Sequence, residues 1–207
     1  MPEIILRYFP ELSEDKVEKI SALKEIYHGW NERINVISRK DFGNFDLHHV
    51  LHSLAIARVI TFLPGTTILD VGTGGGFPGI PLAILFPGAR FTLLDSVAKK
   101  IMVAGDVIEQ LGLKNVTAVR KRAEDEKGKY DFVTGRAVTS FPAFVKMTMK
   151  NVAPAGKNSL RNGIICLKGG DLESELAPFR TRITLYNIID FFSDPWFETK
   201  KVVYLPA

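Results

Sequence analysis

The stretch TILDVGTGGGFPGIP, residues 67–81, sets a short apolar segment directly before a run of glycines. Residues 67–71 predict a buried strand, and the glycines predict a tight turn that favours residues without a side chain. Pro78 suits the first turn of a helix, where its missing N–H costs nothing. Strand, glycine loop and helix in this order predict an α/β fold.

Segments downstream repeat this alternation. Apolar residues at helical spacing run from Val97 to Leu111 and end at Gly112, between two strand candidates. Alternating strands and helices predict a parallel sheet with right-handed crossovers. Only a short Ser-Asp-Pro turn separates the last two strand candidates, which predicts that they pair antiparallel. After residues 67–71, the strand candidates are residues 90–95, 116–120, 130–134, 163–168, 183–192 and 201–205. Together they predict a mostly parallel seven-stranded sheet with an antiparallel last strand.

The N-terminal part of the chain has helical patterns instead. Ser13 can cap a long helix whose apolar residues recur at spacings of three and four up to Ile37. After a break, Asp46 can cap a second helix that ends before a Pro-Gly pair. We expect a helical extension over residues 1–63 and an α/β core over residues 64–207, with one hydrophobic core for the whole chain.

Composition and charge are those of an ordinary globular protein. Hydrophobic residues make up 46% and charged residues 24% of the 207 residues. The N-terminus lacks signal-peptide features and no segment reaches about 18 apolar residues, so we expect a cytoplasmic protein. Cys166 lies in an apolar run and is interpreted as buried packing. The net charge is +4, and residues 51–150 hold 13 Lys and Arg against 8 Asp and Glu. This basic excess is explained equally well by a polyanionic partner and by ordinary solvated surface lysines and arginines.

The glycine loop leaves two cofactor classes open. Gly74 to Gly79 fits the G-x-G-x-x-G pattern of dinucleotide-binding proteins, which is weak by itself. Asp70 favours S-adenosylmethionine (AdoMet), because its carboxylate can balance the ammonium and sulfonium charges and would repel a pyrophosphate. Gly72 and Gly74 let the backbone approach the methionyl part closely. Asp95 ends the second strand and can accept hydrogen bonds from both ribose hydroxyls, which suits either cofactor.

Several motifs together resemble one bacterial enzyme family. The run DVGTGGGFPGIPLAILFP, followed by FTLLDS, RAED, TGRAV and LKGG, is similar to the small-subunit rRNA guanine-N7 methyltransferases, also called glucose-inhibited division protein B. The similarity covers nearly the whole chain, including residues 30–31, 35–38 and 49–54. It implies a class I AdoMet-dependent methyltransferase fold, which is Rossmann-like, with AdoMet as methyl donor. The implied substrate is 16S rRNA, methylated at N7 of guanine 527.

The resemblance also implies particular cofactor contacts. They fall on Gly72, Phe77, the pair Ala123 and Glu124 after the third strand, and Arg136 after the fourth. Phe77 is expected to pack on the cofactor, the Ala123–Glu124 pair to lie near adenine, and Arg136 to reach a carboxylate or a phosphate.

Two positions depart from the family pattern. His52 stands where the family usually has aspartate, and Lys200 stands at the start of the last strand, where many relatives carry arginine. His48 and His52 lie one helical turn apart, but no third ligand with a sensible spacing accompanies them. No metal site is therefore predicted.

The sequence predicts no catalytic residue. Enzymes that methylate exocyclic amines usually carry an Asn/Asp-Pro-Pro-aromatic loop after the fourth strand, and this chain has TGRA at residues 134–137. Methylation of pyrimidine C5 needs a loop cysteine, whereas Cys166 lies in a predicted strand. Guanine N7 has an in-plane lone pair and no proton to lose, so positioning alone can lower the barrier.

Basic residues near strand ends are the candidate RNA contacts. Ligands of open α/β sheets bind outside the carboxyl ends of the strands, and a phosphate backbone there would be held largely by charge. The candidates are Lys99, Lys100, Arg120, Lys121, Arg122, Lys168 and Lys200.

Other functions stay open at this point. A small-molecule or protein methyltransferase would share every cofactor feature, a non-catalytic rRNA-binding assembly factor would keep the fold without using AdoMet, and a dehydrogenase would bind NADH instead. The preferred interpretation is a monomer that acts on 16S rRNA of the small ribosomal subunit, with no DNA or membrane partner.

Overall fold

One mixed β-sheet forms the centre of the residues that the computed structural model describes, 3–34 and 36–207. Its seven strands in these residues are β1 (Thr67–Val71), β2 (Arg90–Asp95), β3 (Val116–Arg120), β4 (Phe132–Arg136), β5 (Gly163–Gly169), β6 (Thr184–Asn187) and β7 (Lys200–Pro206). They lie in the order β3-β2-β1-β4-β5-β7-β6. Strands β1 to β5 pair in parallel, and β7 pairs antiparallel with both β5 and β6. The predicted α/β fold, mostly parallel with an antiparallel last strand, is confirmed.

Helices cover both faces of this sheet. They are α1 (Glu3–Tyr8), α2 (Glu14–Asn31), α3 (His52–Leu54), α4 (Gly79–Leu85), α5 (Ala98–Gln110), α6 (Phe141–Thr148) and α7 (Glu173–Leu176). Neighbouring strand residues point to opposite faces, so Ile68 and Leu69 are buried in separate apolar clusters. Helices α2, α4 and α5 contribute to the first cluster, and α6 and α7 to the second. Gly112, at a φ of +60°, follows α5 where the sequence predicted its end.

Two strands, β4 and β6, are placed differently from the prediction, and the ends of β5 and β7 differ from it by one residue. β4 begins at Phe132 instead of residue 130, because Tyr130 forms an isolated bridge with Val152 outside the sheet. The predicted strand over residues 183–192 is wrong beyond Asn187. Its second part begins with a 3-10 turn over Ile188–Asp190, in which the Phe191 N–H donates to the Ile188 carbonyl at 2.9 Å, and the Phe192 N–H donates to the same carbonyl at 3.0 Å. This helical spacing lets the Ile188 and Phe192 side chains enter the core, where each is fully buried.

Helix α2 ends six residues before the predicted Ile37. The side chain of Asn31 accepts hydrogen bonds from the N–H groups of Val36 and Ile37, at 2.9 and 3.0 Å, and donates to the Ile37 carbonyl at 2.7 Å. Such a local side-chain turn offers the backbone partners that compete with helix continuation. Ser13 occupies the N-cap position, but its hydroxyl makes no capping hydrogen bond with the described residues. Asn35, part of the family resemblance, lies outside the described residues.

The second helical segment changes its hydrogen-bond pattern along its length. A π-helix over Phe45–Leu51 passes into α3 and then into a 3-10 helix over Ala55–Arg58. Asp46 does not cap it as predicted, since Asn44 precedes the first helical residue and the Asp46 carboxylate lies 3.6 Å from Lys24 Nζ. π-helical turns are rare and often accompany functional sites.

The extension and the α/β core share buried contacts. The Tyr27 hydroxyl donates to the Gly75 carbonyl at 2.6 Å, and the Trp30 indole N–H donates to Asp106 at 2.6 Å. Ile20 and Leu23 of α2 belong to the same apolar cluster as Ile68 of β1. The division at residues 63 and 64 stays a prediction about chain organisation, but the α2 face is buried directly against the core.

Candidate active site

The glycine loop begins where β1 ends and is tied to the end of β2. The N–H groups of Gly72 and Thr73 donate to the Leu94 carbonyl at 2.8 and 3.1 Å, and the Gly74 N–H donates to the Asp95 carboxylate at 2.9 Å. Gly72 and Gly74 have φ values of +66° and +61°, which side-chain-bearing residues rarely adopt. A Cβ on Gly72 would lie 2.7 Å from a methyl group of Val138.

Asp70 lies beneath this loop. Its fully buried carboxylate accepts hydrogen bonds from the Thr73 hydroxyl at 2.6 Å, the Gly79 N–H at 3.0 Å and the Thr134 hydroxyl at 3.2 Å. Burial raises the pKa of Asp70 to about 6, although these donors favour its ionised form. Because the carboxylate has no accessible surface, it holds the loop and the start of α4. Its predicted role in balancing the charges of AdoMet stays a prediction.

A cleft of about 360 Å³ lies outside the carboxyl ends of β1, β2 and β3. Its size falls within the range of roughly 300–1,000 Å³ that is common for ligand pockets. Four of the predicted cofactor residues line it, namely Gly72, Asp95, Ala123 and Glu124. The last two belong to a 3-10 turn over Ala123–Asp125 that follows β3. The cleft therefore combines the glycine loop, an acid at the end of β2 and the turn after β3, as an AdoMet site requires.

Phe77 lies outside this cleft. Its ring is only 3% exposed and packs against Tyr27, with the ring centroids 5.0 Å apart. The guanidinium carbon of Arg136 lies 5.0 Å from the centroid of the same ring. The aromatic side chain thus supports the N-terminal helices and Arg136, and its packing on the cofactor stays a prediction.

Arg136 connects the end of β4 to the N-terminal extension. Its guanidinium donates to the His48 carbonyl at 3.3 Å and to His49 Nδ1 at 3.2 Å. His49 Nε2 lies 3.0 Å from one oxygen of Asp41, and His48 Nδ1 lies 2.5 Å from the other. Burial, followed by the charge of Arg136, lowers the pKa of His49 to about 4, and burial lowers the pKa of Arg136 to about 10. At neutral pH a neutral imidazole therefore faces a charged guanidinium.

Sequence analysis did not select Asp41 or His49 as site residues. The available signal was the adjacent pair His48 and His49 after the break at Asp41, but the sequence analysis weighed only His48 and His52, as metal ligands. In residues 3–34 and 36–207, the structure contains no group of three or more His, Cys, Asp or Glu side chains that could hold a metal ion.

A larger groove of about 920 Å³ adjoins the cleft and shares Ala137 and Val138 with it. Its walls combine basic and aromatic side chains. Lys200 Nζ lies 4.6 Å from the centroid of the Trp196 ring, and the His48 ring stacks on Trp196 at a centroid distance of 4.0 Å and an angle of 15°. The other lining side chains include Asp41, His49, His52, Arg136, Thr139, Ser140, Lys168 and Glu175.

The candidate RNA-binding residues divide between the two spaces. Lys100, Lys121 and Arg122 line the cleft, while Lys99 and Arg120 are exposed outside it. Lys168 and Lys200 line the groove. Lys168 is already engaged, because its ammonium lies 2.6 Å from the Glu175 carboxylate and donates to the Thr139 carbonyl at 2.6 Å. Lys121 likewise pairs with Glu126 at 2.9 Å.

Cys166 lies inside β5 and is 2% exposed. Burial raises the pKa of its thiol well above the usual range. A thiol in this setting forms no thiolate at neutral pH and has no path to a substrate, so the interpretation as buried packing is confirmed.

Comparison with known proteins decides which class of cofactor this site serves. Residues 16–197 match the family model described as GidB, rRNA small subunit methyltransferase G. The chain belongs to this family. Two relatives named ribosomal RNA small subunit methyltransferase G are each aligned over 202 residues. The one from Bacteroides thetaiotaomicron is 54% identical and covers 98% of each chain. The one from Flavobacterium johnsoniae is 55% identical and covers 98% of this chain and 96% of the relative.

Solved structures agree on the fold. A precorrin-6y C5,15-methyltransferase from Geobacter metallireducens aligns with a TM-score of 0.57 at 11% identity, covering 76% of this chain and 88% of that one. A SAM dependent methyltransferase from Aquifex aeolicus aligns with a TM-score of 0.54 at 17% identity, covering 74% and 88%. These likenesses show the class I methyltransferase fold. Membership of the GidB family makes the chain an AdoMet-dependent methyltransferase, which excludes the dehydrogenase interpretation. None of the helices in the described residues is long and apolar enough to span a membrane.

Proposed function

We propose that this GidB protein transfers the methyl group of AdoMet to N7 of guanine 527 in the 16S rRNA of the small ribosomal subunit. Family membership supports the reaction and the substrate class. The observation that carries the proposal in the structure is that the cofactor cleft and the basic and aromatic groove share the lining residues Ala137 and Val138. A bound methyl donor and a base in the groove would meet at this boundary.

The residues of the cleft fit AdoMet. Gly72 leaves space beside the loop that a side chain would fill, Asp95 lies at the end of β2 where a ribose would bind, and Glu124 lies in the turn beyond it. When bound, AdoMet supplies an electrophilic methyl group on a positively charged sulfur. The protein supplies the position of that group relative to the base.

The chemistry needs no general base. Guanine N7 attacks with an in-plane lone pair, and no proton leaves before the bond forms. The titratable side chains Asp41, His49 and Glu175 in the groove are already hydrogen-bonded to neighbouring protein groups. We therefore expect the chain to act by positioning and by excluding water, which can contribute several kcal/mol to the barrier.

The groove has the character of a site for single-stranded RNA. Unpaired bases stack on aromatic side chains, and lysines hold the backbone phosphates. Trp196 and Lys200 place an aromatic side chain and a cation together in the groove, where the indole ring also carries the stacked His48 ring. The deep, narrow major groove of an RNA helix hides guanine N7, so the target base must come from a loop or leave its stack. The proposal also includes a monomer in the cytoplasm with no DNA or membrane partner.

Labelled AdoMet tests the substrate. The protein is incubated with small ribosomal subunits, naked 16S rRNA, DNA or a protein extract, and the product is located by reduction and aniline cleavage. We expect label in rRNA only, as 7-methylguanosine at position 527. Label on another atom, on protein or on a small molecule would refute the proposal.

Neighbouring lysines of β7 provide a matched control. Lys200 lines the groove, whereas Lys201 donates to the Asn187 side chain at 2.6 Å and lies outside it. We expect Lys200→Ala to reduce rRNA methylation and its salt sensitivity, and Lys201→Ala to retain both. AdoMet affinity should stay unchanged in the two variants. Equal losses in both would show that the groove does not hold the RNA.

A further inference from the structure

Arg136 is a half-buried cation whose hydrogen bonds use only part of its capacity. A guanidinium has five N–H donors, and the hydrogen bonds to His48 and His49 use two of them. Among the described residues, no carboxylate forms a salt bridge with it. The side chain lines the groove beside Ala137. Because the guanidinium is held in place and faces the groove, its remaining donors can bind an anionic group that the protein itself does not supply.

The two hydrogen bonds that hold Arg136 come from the N-terminal extension. Arginine only donates, so His49 Nδ1 must accept and cannot carry a proton. The imidazole proton then resides on Nε2 and is donated to Asp41 at 3.0 Å. The Asp41 carboxylate thus selects the tautomer of His49, and His49 in turn fixes the direction of the guanidinium.

Because His49 is neutral, it leaves the positive charge of Arg136 uncompensated. An acid in place of His49 would neutralise Arg136 and hold it as tightly. A neutral imidazole orients the guanidinium without cancelling its charge, which remains available to a ligand. The second oxygen of Asp41 is held by His48, whose ring stacks on Trp196 of the groove. The same carboxylate therefore braces both Arg136 and a wall of the groove.

We propose that Asp41 and His49 are positioning residues that hold the Arg136 guanidinium in place to bind the carboxylate of AdoMet. This inference rests on the proposed function, because it assumes the cofactor contact at Arg136. It assigns a role in cofactor binding to the N-terminal extension, through the juxtaposition of Asp41, His49 and Arg136. Neither positioning residue needs to touch the cofactor.

Two variants of His49 separate its contacts. His49→Asn keeps an acceptor near the position of Nδ1 and loses the contact with Asp41. His49→Gln keeps a donor near the position of Nε2 and loses the acceptor for Arg136. We expect His49→Gln to weaken AdoMet binding, measured by calorimetry on the full chain, about tenfold, the effect of one lost hydrogen bond to a charged group. We expect His49→Asn to weaken binding less, about threefold, because it keeps the acceptor for Arg136 but loses the contact with Asp41 that fixes the direction of that acceptor.

A double-mutant cycle tests whether His49 acts through Arg136. Arg136→Met should weaken AdoMet binding by at least as much as His49→Gln, and adding His49→Gln to Arg136→Met should change affinity by less than about twofold. The unfolding midpoints of His49→Asn and His49→Gln are also measured. The two variants introduce side chains of similar polarity, so a folding defect common to both would not produce a difference in AdoMet affinity between them.

Several results would overturn the inference. They are wild-type affinity in His49→Gln, wild-type affinity in Arg136→Met, equal weakening in His49→Asn and His49→Gln, and additive effects in the cycle. Failure of the proposed function looks different, because the wild-type protein itself would then not bind AdoMet or not methylate rRNA.

Discussion

Gly72 and Gly74 share a left-handed backbone but differ in their surroundings, which allows a sharp prediction about the glycine loop. Their φ values are +66° and +61°. A Cβ on Gly72 would lie 2.7 and 3.0 Å from the two methyl groups of Val138, whereas a Cβ on Gly74 would meet nothing within 4 Å. Replacing each by alanine therefore applies the same backbone strain with and without a steric overlap.

The expected magnitudes follow from these two effects. A left-handed conformation costs an alanine about 1–2 kcal/mol, which is the whole expected loss for Gly74→Ala. Overpacking adds typically 1–3 kcal/mol, and Val138 can give way in part because it is 38% exposed. We expect Gly72→Ala to lose about 2–4 kcal/mol of unfolding free energy. Gly72→Ala with Val138→Ala should return to the value of Gly74→Ala.

Urea denaturation measures these differences, provided that the slope with denaturant stays constant across the variants. Val138→Ala alone is the control and should change stability by less than about 1 kcal/mol, as partly exposed positions usually do. The reasoning is refuted if Gly74→Ala is as destabilising as Gly72→Ala, or if removing the Val138 methyl groups restores nothing.

Three further predictions concern buried titratable groups. The pKa of Asp70 is raised from 3.8 to about 6, so the protonated form stabilises the fold below pH 3.8 and this contribution, at most about 3 kcal/mol, is lost as the pH rises through 6. Asp70→Asn should therefore gain stability relative to the wild type between pH 4 and pH 7 in urea titrations, and a constant difference would contradict this. The pKa of His49 is lowered from 6.5 to about 4, so stability should fall as the pH drops from 6.5 to 4, and His49→Asn should show a smaller fall in the same titrations. Cys166 should resist iodoacetamide in the native protein and react in urea, as mass spectrometry would show, and rapid native alkylation would exclude its burial.

Sequence patterns predicted the sheet well, because strand formation here depends on short apolar segments. The bounds of β1, β2 and β3 agree with the prediction residue by residue, and the missing helix before β7 correctly implied antiparallel pairing. The glycines and Asp70 also marked the cofactor loop. The family resemblance supplied the Ala123 and Glu124 contacts, and both residues line the cleft.

Other features depend on particular side-chain contacts, some local and some between residues far apart in the chain, that the apolar spacing does not record. The end of α2 at Asn31 and the change from π-helix to 3-10 helix around His52 break the helical period that the apolar spacing suggested. The sequence analysis selected Lys168 as a candidate RNA contact because it is basic and lies near a strand end. It could not show that Glu175 forms a salt bridge with this lysine. Phe77 follows the glycine loop directly in the sequence, but its ring packs against Tyr27 of the N-terminal extension.

The sequence by itself thus determined the succession of strands and helices along the chain, the glycine loop and the family, because these depend on local spacing and on contiguous motifs. Only the tertiary structure decided that His49 contacts Arg136, 87 residues further along the chain, and that Asp41 binds the other ring nitrogen of His49. It also placed Asp70 beneath the loop and Lys200 against Trp196. The physical reason is that a hydrogen bond or a stacking contact depends on distance and direction in space, which chain folding sets and residue spacing does not record.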